Sequence, residues 1–578
     1  MRLVLAFALA LGAGLAGWAA HAPLGAGPLI LLVVPLFLMA LERAEPEREG
    51  GSGAEGVAVS TPRGWPPATA RTVPTRLAAG LGLVAGLVTF LPMLAWVIEP
   101  AGVAAWVLLS FIQALWYALL AALLRRWVRS AWVVVAAPVL WTGMEAWRAV
   151  VPLGGFGWGA LAYAHAAGSP LLSTARLVGA TGLTFLTALL GALIYAAVRR
   201  VQAARAGNGA TLAAGLSAVR PLAALALIGV AAAVLPPDAP PPSGRSVDVL
   251  AVQGNDLVGV VSSREAEDAT IAGRLLEETR AAIDAGGRPE LTIWPENSID
   301  VDPFTPTGAF LRRYVTEGAR TVDGQLLFGT NLDGPDPERN FLNAAVLVDR
   351  NGEPLDRYVK RRYVPFGEYV PWRELFGKVP ALRQVPRDGL AGAGPQTVET
   401  ELTDVAVIIC FETLFSDVLR TNVLAGDAGL VVAMTNDASF GRSWESDQHI
   451  AQSQLRAVET GRWVVHAAIS GASALIDPDG RVQRRTGLFE RATIRAEVPV
   501  TEVTTPYLAV GDVVGPLTRW AALALLLVAV ALRLRARRTT HARTDLEQPL
   551  ESSERRADGR QGPRAGVAVE AGRSEEGA

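Results

Sequence analysis

The chain contains 578 residues, of which 51% are hydrophobic and only 19% are charged. This composition excludes an intrinsically disordered protein and is unusual for a soluble globular one. The formal net charge is −2, from 53 basic and 55 acidic residues, which gives no basic field of the kind that binds nucleic acid. One cysteine excludes a disulfide framework, and five scattered histidines form no metal-binding motif. We therefore expect neither a metal nor a cofactor.

Long apolar runs fill most of the first 240 residues and return near the C-terminus. Runs close to the length of about 17–25 residues that crosses a bilayer lie at 3–20, 27–42, 77–98, 103–124, 131–150, 173–198, 219–236 and 513–532. We predict eight transmembrane helices, two within 1–42, five within 77–236 and one at 513–532. Small residues around His21 would also fit a signal peptide. The first run exceeds the usual apolar stretch of about 7–15 residues and a second run follows at once, which favours an uncleaved anchor.

The positions of the arginines predict how these helices are oriented. With the N-terminus inside, the inner side receives Arg2, Arg43, Arg48, Arg125, Arg126, Arg129, Arg199, Arg200, Arg205, Arg533, Arg535, Arg537 and Arg538. The short loops on the opposite side carry no arginine or lysine. The positive-inside rule therefore places the domain at 245–505 outside the cytoplasm. Residues 43–76 are predicted to form a flexible cytoplasmic loop and 539–578 a disordered cytoplasmic tail.

The segment 245–505 alternates short strand patterns with helical ones. Strand patterns lie at 247–254, 290–296, 325–330, 343–349, 354–360, 404–410, 429–436 and 463–470, and helical patterns near 262–285 and 445–462. Turns at 349–352 and 477–480 have the sequence of β-hairpin connections. This alternation predicts a layered α/β or α+β domain.

Cys410 ends an apolar strand and precedes a helical pattern. A nucleophile at such a turn is held exposed, with backbone N–H groups of the next turn near a developing oxyanion. A lone cysteine after a strand is also commonly a small buried hydrophobic residue, and position alone favours that simpler interpretation.

The presence of Lys360 favours a catalytic interpretation of Cys410 over a structural one. The chain has only two lysines, Lys360 and Lys378, and uses arginine for nearly every other positive charge. A lysine retained here indicates a need for a compact ammonium, which arginine cannot supply, although the presence of Lys378 keeps chance open. Glu296 follows a third strand pattern, where Pro295 should stop the ladder and turn the glutamate outward. A glutamate, a lysine and a cysteine at three strand ends form a set suited to acyl transfer, as base, oxyanion donor and nucleophile.

Several segments resemble the bacterial apolipoprotein N-acyltransferases, membrane-embedded members of the nitrilase superfamily. The segments are LTIWPENSI, RYVKRRYVPFGEYVP, VAVIICFE and MTNDASFGRSWESDQHIAQSQLRAVETGR. VPFGEYVP is specific for this family rather than for nitrilases in general. The resemblance covers most of the chain and implies a multi-pass α-helical membrane domain plus an extracytoplasmic nitrilase-like αββα sandwich.

The resemblance also assigns roles to residues. The family's catalytic triad falls on Glu296, Lys360 and Cys410. Its additional functional acids fall on Glu368 and Glu412, and the aromatic neighbour of the nucleophile falls on Phe411, where tyrosine is more usual. Two positions depart from the family pattern, namely Ser439 in place of an aromatic residue and the segment 468–471. These departures bear on substrate preference more than on catalysis.

The reaction implied by the resemblance is a two-step acyl transfer in the bacterial plasma membrane. An acyl chain passes from a phospholipid to Cys410 as a thioester, and then to the α-amine of diacylglyceryl-cysteine at a lipoprotein N-terminus. We expect a monomer whose partners are a phospholipid donor, diacylglyceryl-modified apolipoproteins and the membrane. Both substrates are lipid-anchored, so a site held at the membrane face avoids extracting either.

Two other functions remain open at this point. A membrane-tethered amidase or nitrile hydrolase would use the same triad, but one anchoring helix would suffice for it. A transporter or scaffold would be expected to carry ionisable residues inside its helices. Glu145 and Arg148 are the obvious candidates, and they are spaced three apart so that they could form a local pair.

Overall fold

The computed structural model describes residues 1–45, 73–206, 212–256 and 264–546. By its internal contacts the chain divides into two units, 1–524 and 525–578. The first unit contains both the apolar helices that precede residue 240 and the strand-rich domain that follows them. The second unit begins within the last helix.

The apolar part of the chain folds into helices. Those before the strand-rich domain are α1 Arg2–Ala20, α2 Ile30–Arg43, α3 Thr75–Met93, α4 Ile98–Leu124, α5 Val133–Arg148, α6 Ala175–Ala206 and α7 Leu212–Val234. Within the described residues, five helical segments are long and apolar enough to cross a membrane, namely Arg2–Ala20, Thr75–Met93, Ala95–Leu124, Pro170–Arg205 and Val514–Ala531. Helices α2 and α5, with 14 and 16 residues, are shorter than the roughly 20 residues that a span requires. The count of eight crossings therefore stays a prediction.

The two predicted cytoplasmic segments lie largely outside the described residues. Within the loop predicted at 43–76, residues 46–72 are outside them. The last helix, Val514–Leu546, extends beyond its predicted end at 532 and into the predicted tail at 539–578. Positions 547–578 are outside the described residues.

The strands form two sheets. The first has seven strands, β1 Ser246–Gln253, β2 Leu291–Ile299, β3 Gln325–Asp333, β4 Asn340–Val348, β5 Pro354–Val359, β6 Asp388–Gly389 and β12 Ala492–Pro499. Their order is β12-β1-β2-β3-β4-β5, with β6 beside β4. The second sheet, in the order β11-β10-β9-β8-β7, has β7 Val405–Ile409, β8 Leu430–Thr435, β9 Val464–Ala468, β10 Ala474–Ile476 and β11 Val482–Arg485. The predicted strands are all present.

The remaining helices complete the domain. They are α8 Arg264–Gly286, α9 Ala309–Val322, α10 Arg373–Phe376, α11 Ser416–Gly426, α12 Glu445–Thr460 and α13 Pro506–Val510, and α14 is Val514–Leu546. The sequence patterns predicted α8, α11 and α12, whereas α9 and β12 were not predicted.

The two sheets pack face to face, with helices on their outer faces. Val249 and Ile293 of the first sheet share one buried core with Val407 and Val432 of the second. On its other face, the first sheet packs Phe328 against α8 and α9 in a separate core. Helices α11 and α12 contact β7 and β9 of the second sheet. The predicted αββα sandwich is therefore confirmed, and its β1–β3 and β7–β9 strands run parallel within each sheet.

Helix α12 joins the sandwich to the apolar helices. Gln448 accepts hydrogen bonds from the indole N–H groups of Trp96 and Trp158, at 3.2 and 2.5 Å, and donates to the Ala22 and Met93 carbonyls. Four of these residues, Met93, Trp96, Trp158 and Gln448, are buried, so this contact ties the sandwich to the helices that carry it.

A second contact lies at a break in helix α6. Gly179 has φ of +68°, and the ring of Tyr507 occupies the place where a Cβ would lie. The Ala180 N–H, which this break deprives of a helical acceptor, donates to the buried Glu459 carboxylate at 2.7 Å. The break therefore provides a second anchor between the two parts.

Candidate active site

Three strands of the sandwich bring their carboxyl ends to one place. Glu296 lies in β2, Lys360 follows β5, and Cys410 follows β7. The Lys360 Nζ lies 3.2 Å from Glu296 Oε1 and 2.7 Å from Glu368 Oε1. Cys410 lies close enough to interact electrostatically with Lys360 and Glu296. The structure thus brings together the three residues that the sequence singled out.

Glu296 does not point outward as its position after Pro295 predicted. Strand β2 continues to Ile299, but its pairing with β3 breaks after Trp294 and resumes only at Ile299. Gly329 of β3 lets this bulge approach, since a Cβ there would lie 2.6 Å from the Glu296 Cα. The bulge turns the Glu296 side chain into the protein, where only 4% of the residue is exposed.

Both carboxylate oxygens of Glu296 have partners inside the site. Oε1 accepts from Asn343 Nδ2 at 2.7 Å and from Lys360, while Oε2 accepts from the backbone N–H of Asn436 at 2.8 Å. Burial raises the pKa of Glu296, and the ammonium of Lys360 lowers it only in part. A carboxylate with a raised pKa is a stronger base than an ordinary one, which suits it to take a proton from a thiol.

Lys360 is fully buried between two carboxylates. Burial by itself lowers the pKa of this lysine, but Glu296 and Glu368 outweigh it and hold the pKa well above its ordinary value. The centroid of the Tyr363 ring lies 5.7 Å from the Lys360 Nζ, so an aromatic ring also contacts the ammonium. Lys360 therefore keeps its positive charge and can stabilise a negative one on a substrate oxygen.

Cys410 sits in an uncommon backbone conformation. It begins the 3-10 turn Cys410–Leu414 with φ of +48°, and it is only partly buried. Loss of surrounding water raises the pKa of the Cys410 thiol well above its usual value; Glu296 raises it further and Lys360 lowers it. The thiol is thus neutral at rest and needs a base beside it to become a nucleophile.

Glu412 links two segments of the site. Its buried carboxylate accepts from the N–H groups of Arg361 and Arg362, at 2.7 and 3.0 Å, and from that of Ile409 at 2.9 Å. The hydroxyl of Tyr358 adds contacts at 2.9 and 3.0 Å. These bonds fasten the chain after Lys360 to the turn of Cys410, so Glu412 positions both residues.

The other two residues assigned by resemblance border the triad. Glu368 binds Lys360 with Oε1 and accepts the Val364 N–H with Oε2 at 2.8 Å. The Phe411 ring stacks on Phe156, from the segment after α5, with ring centroids 6.4 Å apart. An aromatic side chain of the apolar part therefore lies beside the residue that follows the nucleophile.

Sequence reasoning missed several residues of the site. Asn343 donates to both Glu296 and Glu368, the latter at 3.3 Å, and is 3% exposed. His449 of α12 contacts the Cys410 carbonyl. A polar residue inside the otherwise apolar strand β4 was the available signal for Asn343, whereas nothing in the local sequence of α12 distinguishes His449.

A cavity of about 620 Å³ opens beside the triad. Its wall includes Asn343, Asn436 and Glu368 from the site and Ser439, one of the departures from the family pattern. The wall also carries the acidic side chains of Asp256, Glu267, Asp268 and Asp300. The wall beside Glu368 therefore combines acidic and hydrogen-bonding groups with apolar residues such as Ile271 and Phe341.

Asp437, His449 and His466 are the described residues that come closest to a metal-binding set. They are buried, and one potential ligand atom of each lies within 4.8 Å of the others. Both nitrogens of His449 already have hydrogen-bond partners, and Nδ1 of His466 bonds with Ser453. We interpret this group as a hydrogen-bond network.

The chain is similar to known proteins over both of its parts. Residues 252–505 match the carbon-nitrogen hydrolase family, and residues 13–193 match the apolipoprotein N-acyltransferase N-terminal domain. The apolipoprotein N-acyltransferase of Geobacter metallireducens is 31% identical over 479 residues, covering 81% of this chain and 89% of that protein. That of Azotobacter vinelandii is 31% identical over 552 residues, covering 92% and 95%.

Among solved structures, a mutant of the Nesterenkonia AN1 amidase from the nitrilase superfamily is similar with a TM-score of 0.34 and 17% identity. It covers 46% of this chain and 95% of that one. Identity with the curated relatives extends through the apolar helices as well as the sandwich. The resemblance drawn from the sequence motifs is thereby confirmed, and the chain belongs to the apolipoprotein N-acyltransferase family.

Proposed function

We propose that this acyltransferase moves an acyl chain from a phospholipid, through a thioester on Cys410, to the α-amine of diacylglyceryl-cysteine at the N-terminus of a lipoprotein. One observation carries the proposal. A buried lysine ammonium is fixed between two carboxylates beside a cysteine at a strand end, in a chain whose other half is apolar helices.

In the first step, Glu296 takes the thiol proton and Cys410 Sγ attacks the ester carbonyl of the phospholipid. The carbonyl oxygen of the ester gains negative charge in the tetrahedral intermediate, and the Lys360 ammonium stabilises this charge at close range. When the tetrahedral intermediate collapses, the C–O bond breaks and Glu296 returns the proton to the departing lysophospholipid. The acyl chain is left on Cys410 as a thioester.

In the second step, the neutral amine of the lipoprotein attacks the thioester carbonyl. Glu296, now ionised again, accepts the proton that the amine loses as the C–N bond forms. Breaking the C–S bond releases Cys410 as a thiolate, which regains its proton from Glu296. One base therefore serves both half-reactions, and its raised pKa suits it to exchange protons in both directions.

The surroundings of the triad support two lipid-anchored substrates. The cavity of about 620 Å³ beside Glu368 gives room for polar groups of either substrate. The arginine distribution predicts that the sandwich lies outside the cytoplasm, and in that orientation both lipids would reach the site from the outer leaflet. We propose that the enzyme acts as a monomer, since Glu296, Lys360 and Cys410 come together within a single chain.

The proposal is tested with Cys410→Ala. The wild-type enzyme, mixed with a phospholipid labelled in its acyl chain, should retain a hydroxylamine-sensitive label on the protein, and the variant should not. Mass spectrometry of a lipoprotein N-terminus should show a third acyl chain only with the wild type. Normal transfer by the variant contradicts the thioester mechanism, and release of free fatty acid without transfer would indicate a membrane-tethered hydrolase.

A further inference from the structure

A buried histidine lies directly behind the nucleophile. His449 of α12 is 1% exposed, and its Nε2 lies 3.0 Å from the carbonyl oxygen of Cys410. Its other ring nitrogen, Nδ1, lies 3.2 Å from Oδ1 of Asp437, which is also buried. The proposed reaction gives no role to this pair, since neither side chain belongs to the triad.

Both of these partners of His449 are hydrogen-bond acceptors. A carbonyl oxygen has no proton to give, and an ionised carboxylate has none either. The hydroxyl of Thr435, 3.3 Å from Nδ1, gives its single proton to Asp437 Oδ1 at 2.5 Å. The imidazole ring must therefore donate from both nitrogens at once, which only the doubly protonated imidazolium can do.

The hydrogen bond from His449 holds a backbone conformation of Cys410 that is uncommon. Cys410 has φ of +48°, a region that residues with a Cβ rarely adopt. Its carbonyl accepts from Thr413 Oγ1 at 3.1 Å as well as from His449, so the peptide plane is fixed by side chains on either side. A rotation of that plane would move Sγ relative to Glu296 and Lys360.

We propose that His449 is a positioning residue that, as an imidazolium held by Asp437, keeps the Cys410 peptide in the orientation from which Sγ can attack. After loss of its second proton, the ring keeps the remaining proton on Nδ1, because the bond to the ionised Asp437 carboxylate is the stronger of the two, and Nε2 no longer donates to the Cys410 carbonyl. The nucleophile then loses its support, and acyl-enzyme formation slows. This inference rests on the proposed role of Cys410.

The groups packed around His449 favour the charged ring. Burial lowers the pKa of His449, but the Asp437 carboxylate outweighs this effect and raises the pKa to about 9. Burial raises the pKa of Asp437, and His449 in turn lowers it below its ordinary value. The bond to Cys410 is therefore present below about pH 9 and lost as the pH rises through that value.

Glu445, His466 and Trp158 are the remaining neighbours of the ring. Glu445, on the same helix with Oε1 3.6 Å from Nδ1, has a pKa raised well above its usual value by burial and by Asp437. His466 of β9, with its ring centroid 5.2 Å away, has its pKa lowered to about 3 by burial. The apolar part of the chain contributes the Trp158 ring at 6.2 Å. Asp437 is the carboxylate within hydrogen-bond distance of the ring and holds the imidazolium, and Glu445 also raises the pKa of His449.

The experiment measures one step in the full-length enzyme reconstituted in phospholipid vesicles. The rate of acyl-enzyme formation from labelled phospholipid, without an acceptor, is recorded from pH 6 to 10.5, so that titration of the acceptor amine cannot contribute. Because Cys410 is the only cysteine in the chain, its alkylation by a maleimide gives a second readout that needs no substrate. The variants are His449→Leu and Asp437→Asn, and His466→Gln is the matched control.

We expect the wild-type rate to fall as the pH rises through about 9, and His466→Gln to show the same profile. His449→Leu should lower the rate on the order of 10²-fold at pH 7, the loss expected when a reacting atom is misplaced by about 1 Å. The rate of this variant should also show no further fall near pH 9. Asp437→Asn allows a neutral ring to keep its Nε2–H bond to Cys410. This variant should therefore stay active at neutral pH, and its rate should no longer fall as the pH rises through about 9.

The inference is overturned if the wild-type rate shows no fall near pH 9, if Asp437→Asn keeps that fall, or if folded His449→Leu lies within threefold of the wild type. If His449→Leu fails to fold, the Asp437→Asn profile and the wild-type alkylation profile still decide. Cys410→Ala separates this result from the proposed function. Acyl transfer by that variant refutes the thioester mechanism itself, whereas its inactivity beside unchanged His449 and Asp437 profiles refutes only the positioning role.

Discussion

Replacing Lys360 by arginine keeps the charge and changes the shape. Lys360 is fully buried, with Nζ 2.7 Å from Glu368 and 3.2 Å from Glu296. A guanidinium is planar, longer and carries its N–H groups in a fixed fork, so it cannot occupy this position between two carboxylates without moving one of them. We expect turnover to fall by a factor of about 10² to 10³, the usual loss for one oxyanion donor, equivalent to about 2.7–4 kcal/mol.

The assay is lysophospholipid release by the purified enzyme in vesicles. Lys378→Arg is the matched control, because Lys378 is the other lysine and is exposed. Circular dichroism and thermal unfolding should show that both variants fold. If Lys360→Arg retained more than a tenth of wild-type turnover, the ammonium would not be the oxyanion donor that its two carboxylate contacts indicate.

Further predictions concern the base, its support and the topology. The rate of acyl-enzyme formation should fall at low pH with a midpoint above about 4.3, the ordinary glutamate pKa, because burial raises the pKa of Glu296 and protonation removes the base. A midpoint at or below that value would contradict the role of Glu296 as base. Asn343→Leu removes the hydrogen bonds to Glu296 and Glu368, each worth about 1.5–3 kcal/mol, and should lower the single-turnover rate at least tenfold. An unchanged rate would make Asn343 dispensable. A reporter fused after Arg205 should report the cytoplasm and one inserted at Gly334 the outer side; the reverse result would mean an error in the helix count.

The candidate site residues could be selected from the sequence because their signals are local. Lys360 is conspicuous in a chain of arginines, and Cys410 follows an unbroken apolar strand. Strand and helix patterns likewise depend on neighbouring residues, and the sandwich followed from them together with the family motifs. The structure brings Glu296, Lys360 and Cys410 together, and their roles in acyl transfer stay a prediction.

What the sequence did not reveal depends on contacts between distant segments. The burial of Glu296 requires Gly329 on the neighbouring strand, which allows the bulge to approach. The support that Glu412 gives to both Lys360 and Cys410 joins segments about fifty positions apart. Strand β12 pairs with β1 across almost the whole domain, a pairing that no local pattern indicates.

The stack of Phe156 on Phe411 bears on how long an acyl-enzyme can survive. A thioester is open to hydrolysis, and every water molecule that reaches it competes with the lipoprotein amine. Two aromatic rings with centroids 6.4 Å apart lie beside the proposed nucleophile, and one of them, Phe156, belongs to the segment after α5. A sandwich excised at residue 245 would keep Glu296, Lys360 and Cys410 but lose Phe156. The helices would then do more than anchor the domain, since by excluding water they would decide whether the intermediate is transferred or wasted.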